Sequence, residues 1–356
     1  RAVFARAALI AVTAGLAVMV LQWPIIELAM ALIQPTAAVE AAARDYFHVR
    51  IWASTATLMQ YCMLGWLLAM RDARAVFIFQ VVLNSLNMVL DILFVQGFGW
   101  DVKGVAGATV IADYSGVMLG WFLMQPHLKR LGGTWRGIGI FDRTQLAHLM
   151  KINGDIFVRT MALTSAFAIF TSFSARFGEV TLAANAVLQN FLMFGSFALD
   201  GFAHAAETLV GQAYGAERRK QFLWAVRKTT IWAIVSAVVM AAIFGLMGPW
   251  IIDGLTSIPE VRDASYSYLL WAVMLPITGV LGFQFDGVFL GAMQTKHWRN
   301  MMLLSVAIYA GMAWGAVVAD SNHLLWASFN AFFLLRGVTL AVLFPTIIPA
   351  RRVATV

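Results

Sequence analysis

The chain has 356 residues, of which 61% are apolar and 12% charged, and its mean hydropathy is +0.78. That balance excludes a water-soluble enzyme with a single anchor, because the length accommodates about ten helical spans of ~20 apolar residues each. The net charge of +7 invites a nucleic-acid partner, an expectation removed below once the basic residues are placed. Outer-membrane strands are excluded as well, since they alternate polar and apolar residues, whereas the apolar runs here are continuous. A single cysteine, Cys62, rules out an intrachain disulfide and a thiolate metal cluster.

Taken in chain order, apolar runs bounded by charge or by Gly and Pro predict ten spans, near 7–33, 47–69, 76–97, 105–125, 156–176, 181–203, 229–252, 266–290, 301–318 and 324–347. With residue 1 on the cytoplasmic side, 18 of the 25 Lys and Arg fall in inner segments and five in outer ones, and only Arg159 and Arg336 lie inside spans. The basic balance is therefore the positive-inside rule, and it predicts a multi-pass membrane protein with residue 1 inside and no nucleic-acid partner. Residues 126–154, with Pro126, Gly132, Gly133 and Gly137, read as a cytoplasmic linker between an N-terminal bundle of four helices (1–125) and a C-terminal bundle of six (155–356). Within that linker, residues 142–152 have the pattern of a short amphipathic helix on the membrane surface.

The two bundles share a weak repeat. GWLLAMRDAR at 65–74 aligns with GVFLGAMQTK at 287–296, and PIIELA from Pro24 with PWIIDGL from Pro249, at offsets of 222 and 225. At that offset the spans at 156–176 and 181–203 have no counterpart in the first half. An intact protein is expected to add about 70 N-terminal residues and two helices, twelve in all, and residues 1–356 alone are expected to be unstable or inactive in transport.

Ionisable residues at membrane depth are costly, about 2.5–3.5 kcal/mol each on insertion scales, so each needs a partner or a role. Asn84, Asn87 and Asp91 share one face of the third span, and counting from the outer turn brings Thr109 level with Asp91 and puts Asp113 one turn below it. This oxygen-rich group suits a proton or Na⁺ and is the candidate cation-coupling site, with an interhelical hydrogen-bond clamp as its structural alternative. The sixth span carries a polar stripe of Asn185, Gln189, Ser196, Asp200, His204 and Glu207, expected to line a cavity or gate, with Arg159 within reach of Asp200 or Glu207. A buried ion pair that fixes packing is the plainer alternative there. Asp286 stands alone in the eighth span, ten residues after Pro276, which is expected to kink that helix. Motifs for nucleotide hydrolysis, zinc proteolysis and serine hydrolysis are missing, so the chain reads as no enzyme, without cofactor, driven by an ion gradient.

The runs LNSLNMVLDILFVQGFGWDVKGVAGAT (83–109), LAANAVLQNFLMFGSFALDGFAHAAETLVGQAYGA (182–216) and FDGVFLGAMQTKHWRNMMLLS (285–305) resemble the multidrug and toxic compound extrusion (MATE) transporters of the DinF-type prokaryotic branch. The resemblance implies an all-α fold of two pseudo-symmetric six-helix lobes, ten of the twelve helices being present here. It also implies export of cationic or amphipathic small molecules against Na⁺ or H⁺ by a monomer surrounded by lipid. Its cation-coupling site would fall on Asn87, Asp91 and Thr109, short of a further carboxylate that the family's first helix supplies, and Gln60 stands where the family has Asn. Six membrane acids against two arginines favour cationic cargo over the phosphate groups of a lipid or glycolipid flippase, and a transport-inactive membrane protein is the third reading.

Overall fold

The computed structural model describes residues 1–33, 37–132 and 141–349. The described residues form helices and no strands: α1 (Ala2–Val20), α2 (Gln22–Ile33), α3 (Ala37–Arg50), α4 (Ser54–Ala69), α5 (Ala73–Ile92), α6 (Asp101–Leu131), α7 (Arg143–Ser174), α8 (Glu179–Gly215), α9 (Arg219–Leu255), α10 (Pro259–Gly291), α11 (Thr295–Val318) and α12 (Asn322–Ile347). Among the described residues nine helices, all but α2, α3 and α4, are long and apolar enough to cross a membrane.

The expected span at 47–69 is divided among the end of α3, a 3-10 turn at Ile51–Ala53, and α4. The first expected span, 7–33, is two helices rather than one. Pro24 explains the break at Leu21, since its ring excludes the carbonyl four residues back, that of Val20, where α1 ends. The linker expected at 126–154 is helical at both ends, because α6 continues through Pro126 to Leu131 and α7 starts at Arg143. Residues 133–140 of that linker lie outside the described residues. Asp142 accepts hydrogen bonds from the Thr144 and Gln145 amides (3.0 and 3.2 Å) and so starts α7, and with no proline to stop it the helix runs unbroken to Ser174. The expected surface helix at 142–152 is therefore the first turns of α7. Pro276 likewise sits inside a continuous α10.

The chain divides into two compact units, Arg1–Leu149 and Met150–Val356, with the boundary inside α7. In the first unit α1 packs on α4, and α3, α4 and α5 pack on α6, around Phe4, Met63, Leu67, Met124 and Leu128. In the second, α10 packs against α8, α9 and α12. Small residues set the closest approach: a Cβ on Gly287 would lie 2.1 Å from the Ala203 carbonyl oxygen, and one on Gly291 2.5 Å from that of Glu207. The GVFLG run at 287–291 thus brings the backbones of α8 and α10 into contact, the way helices associate where burial of apolar surface drives nothing. An aromatic core of Phe170, Phe191, Tyr309, Trp326, Phe329 and Phe332 fills the space between α7, α8, α11 and α12. The outward faces are equally apolar, with Leu246 77% and Trp250 70% exposed, as expected of helices solvated by lipid.

Element boundaries repeat between the units. Ala37 and Pro259 start, Ala69 and Gly291 end, and Ala73 and Thr295 start corresponding helices, each pair 222 residues apart. The turn between them is the same twice: Arg71 (φ 60°) and Met293 (φ 57°) take the left-handed conformation. Their amides donate to Leu68 O and Leu290 O, and those of the next residues, Asp72 and Gln294, to Leu67 O and Phe289 O. This closing pattern satisfies carbonyls at a helix end and costs strain in a non-glycine residue.

Candidate functional site

In the first unit α5 ends in a π-helical turn, Leu93–Gly97, and α6 begins at Asp101. This shifts the register by about one turn from the sequence count. Thr109 on α6 pairs with Asn87 on α5, the amide nitrogen donating to Oγ1 at 3.2 Å, while the Thr109 hydroxyl donates to Val105 O at 2.9 Å. Asp91, one turn along α5 from Asn87, is partly buried, and its Oδ1 is shielded from solvent without a hydrogen-bond partner among the described residues.

Asp113 belongs to a different group. It accepts from Thr57 Oγ1 (2.7 Å) and Gln60 Nε2 (3.1 Å) and forms an ion pair with Arg50 (3.2 Å), all from α3 and α4. Gln60 also donates to the Asp113 carbonyl (2.7 Å). The expectation that Asp113 joins Asn87, Asp91 and Thr109 is corrected by these bonds, which turn its carboxylate toward α4. Gln60 acts here as a positioning residue for Asp113, and Arg50 and Thr57 were not foreseen because they come from an interrupted helix whose rotation hydropathy does not reveal. Glu27, midway along α2, is paired with Arg44 of α3.

In the second unit the polar stripe of α8 divides. Asn185 is buried in a clamp, donating to Ser174 Oγ (2.8 Å) and Asn322 Oδ1 (2.8 Å) and accepting from Trp326 Nε1 (2.7 Å). Large aromatic side chains of α7 and α12 pack at this end of α8, and neither Asn185 nor Gln189 is part of the lining of the cavity that the rest of the stripe faces. From Ser196 onward the stripe does face one: Ser196, Asp200, His204 and Glu207 line a cavity of about 370 Å³ together with Arg159, Asp286 and Arg336. Leu163, Phe167, Met193 and Phe333 form its apolar wall.

Asp286 is not alone, and Arg159 is bonded neither to Asp200 nor to Glu207. Oδ2 of Asp286 accepts from the guanidinium groups of Arg159 and of Arg336 (2.6 Å for the latter), and Oδ1 accepts from the Trp298 indole (2.6 Å). Arg159 also stacks on the Trp298 ring, 4.4 Å from its centroid. Trp298 carried no signal in the sequence, since the left-handed turn at Met293 is what folds α11 back beside α10. A second pair was missed too: Asp155, the first residue of the expected C-terminal bundle, is buried and bonded to Arg299 (2.5 Å) and Thr295 (2.8 Å). His204 faces Glu207 at 3.5 Å, and no group of three or more metal-binding side chains occurs among the described residues.

The chain is 36% identical over 335 residues to DNA damage-inducible protein F of Escherichia coli, a match covering 94% of this chain and 73% of that protein. The chain belongs to the MATE family. A family model described as MatE matches residues 156–314. Protein DETOXIFICATION 42 of Arabidopsis thaliana is 25% identical over 312 residues, covering 83% of this chain and 56% of its own length. The fold agrees with that of a solved outward-facing multidrug resistance MATE transporter of the MOP superfamily, with a TM-score of 0.87 at 17% identity over 97% of this chain and 78% of that one. A MOP superfamily transporter of Pyrococcus furiosus superposes with a TM-score of 0.81, also at 17% identity, over 96% of this chain and 78% of that one.

Proposed function

We propose that this MATE chain is a secondary antiporter of a bacterial inner membrane, working as a monomer with residue 1 in the cytoplasm and exporting cationic or amphipathic small molecules in exchange for Na⁺ or H⁺. The observation that carries the reading is Asp91: a carboxylate oxygen shielded from water and without a hydrogen-bond partner among the described residues, on the helix face that also presents Asn87 to Thr109. An unsatisfied anion at membrane depth is a standing cost unless a proton or a hard cation fills it, and oxygen ligands of this kind suit Na⁺. Membership of the MATE family and the names of its relatives, DETOXIFICATION proteins and a probable multidrug resistance protein among them, support export as the direction.

The test is cationic-dye efflux from everted vesicles driven by a pH step or by Na⁺. Vesicles carrying the protein should extrude dye only when one of the two gradients is imposed. Efflux that ignores both gradients, or none above empty vesicles, overturns the reading.

A further inference from the structure

Helix α9 buries a single face. Phe222, Ala225, Val226, Thr229 and Ala233 lie on the side that packs against α8 and α10. On the opposite side Lys220, Trp224, Arg227 and Lys228 follow one another at i, i+4, i+7 and i+8, all of them exposed. The three cations make no hydrogen bond or ion pair among the described residues, and the one acid of α9, Asp253, is at its far end. Their depth follows from the composition of the helix. Residues 229–252 carry no charge and span about 36 Å, enough to cross a hydrocarbon layer of ~30 Å. Arg227 and Lys228 therefore stand at the border between acyl chains and headgroups, with Lys220 about 10 Å further out along the axis. The positive-inside rule asks for cations on this side and is indifferent to which face of a helix carries them. In the first unit, 222 residues earlier, the corresponding positions hold Ala5 and the partly buried Arg6, so the exposed group belongs to α9 alone.

We propose that this face of α9 is a binding site for an acidic phospholipid of the cytoplasmic leaflet, its phosphodiester held between Arg227 and Lys228. The planar guanidinium of Arg227 matches two phosphate oxygens, and the Lys228 ammonium adds a point charge beside it. Trp224 stands at headgroup level with Lys220, and the exposed Ile231 and Trp232, one turn deeper than Arg227 and Lys228, meet the acyl chains. Charge complementarity selects the class of lipid. A phosphodiester with an uncharged headgroup brings one net negative charge to three unpaired cations, whereas a zwitterionic lipid brings its own ammonium, which these cations repel. The leaflet follows from the orientation with residue 1 inside. No residue of α9 lines the cavity of the second unit, so the bound lipid belongs to the protein's surroundings and is not its cargo.

The experiment uses the full chain in detergent micelles, with phosphatidylglycerol and phosphatidylethanolamine supplied in equal amounts and the lipids that stay bound identified by native mass spectrometry. Phosphatidylglycerol should be retained over phosphatidylethanolamine by about tenfold or more at low salt, and the preference should shrink as salt is raised. Arg227→Gln combined with Lys228→Gln should lose most of that preference, roughly fivefold for each cation removed. Should the double variant fold poorly, Arg227→Gln alone is measured and the same loss is expected in part. Lys129→Gln combined with Arg130→Gln removes the same charge from the exposed end of α6 and should leave the preference intact. Equal retention of the two lipids by the parent protein, a preference that survives loss of Arg227 and Lys228, or an equal fall in the α6 variant would each overturn the proposal.

Discussion

At the scale of single residues, the last turn of α5 and the middle of α6 carry opposite solutions to the same difficulty. Asp113 is satisfied, with Arg50, Thr57 and Gln60 around it, whereas Asp91 keeps a shielded oxygen unbonded. Their substitutions should therefore differ in kind. Asp91→Asn retains shape and hydrogen-bonding capacity, so the purified variant should melt near the parent temperature while efflux loses its dependence on the ion gradient. Unimpaired gradient-driven pumping by Asp91→Asn would favour the clamp reading of this face. Asp113→Ala leaves the partly exposed Arg50 guanidinium and the Thr57 and Gln60 donors without their acceptor and should cost about 1–3 kcal/mol, read as a fall in the detergent melting temperature, with Asp113→Asn falling less. Asp72 lies in the turn between α4 and α5. The Ala75 amide and then the His127 side chain hold its carboxyl below the usual carboxylate range. A depressed folded-state value means that its contribution is complete above the unfolded value of about 3.9 and disappears as pH falls through the lowered one. Asp72→Ala should cost about 1 kcal/mol near pH 7, the usual worth of an N-cap, and the gap between variant and parent should close in acid.

At the scale of helices, packing is governed by where side chains are missing. Gly287→Ala places a methyl group 2.1 Å from the Ala203 carbonyl oxygen, a contact that only separation of α8 and α10 can relieve. The expected loss is about 1–3 kcal/mol in thermal unfolding, and the cavity bordered by both helices should bind ligand less well. Gly311 on α11 makes the comparison fair, since nothing stands within 4 Å of a Cβ there. Gly311→Ala should be neutral or slightly stabilising, because alanine is the better helix former. Equal losses at the two positions would show that helix propensity and not close approach governs both.

For the whole molecule, the charge pattern and the repeated turns make one statement about orientation. The turn closed by Arg71 and the turn closed by Met293 have the same geometry and both carry flanking basic residues, Arg74 in one case and Lys296 and Arg299 in the other. The positive-inside rule predicts that both face the cytoplasm. In a Cys62→Ala background, Lys296→Cys should react with a membrane-impermeant maleimide only after the membrane is opened, and Ser257→Cys, between α9 and α10, should react in intact cells. The opposite pattern would reverse the topology.

Class, span positions and repeat were legible in the sequence because each rests on local information. Twenty apolar residues in a row need no partner to be read as a span, and a Gly- or Arg-containing turn at a constant offset is visible as text. The close pairing of Asn87 with Thr109 also lay within reach of counting, although the π-helical turn at Leu93–Gly97 moved the match by one turn from Asp91. What the polar residues do was decided by tertiary structure. Arg159 and Asp286 are 127 residues apart, Asp286 and Arg336 fifty, and Thr57 and Asp113 fifty-six, and none of these separations has a sequence signature. Six acids against two arginines favoured cationic cargo, yet both arginines converge on one of those acids, Asp286. The reason is physical: hydropathy determines that a helix enters the membrane, but its rotation about its own axis is set by where glycines allow a neighbour's backbone to approach, and that rotation chooses which carboxylate meets which guanidinium.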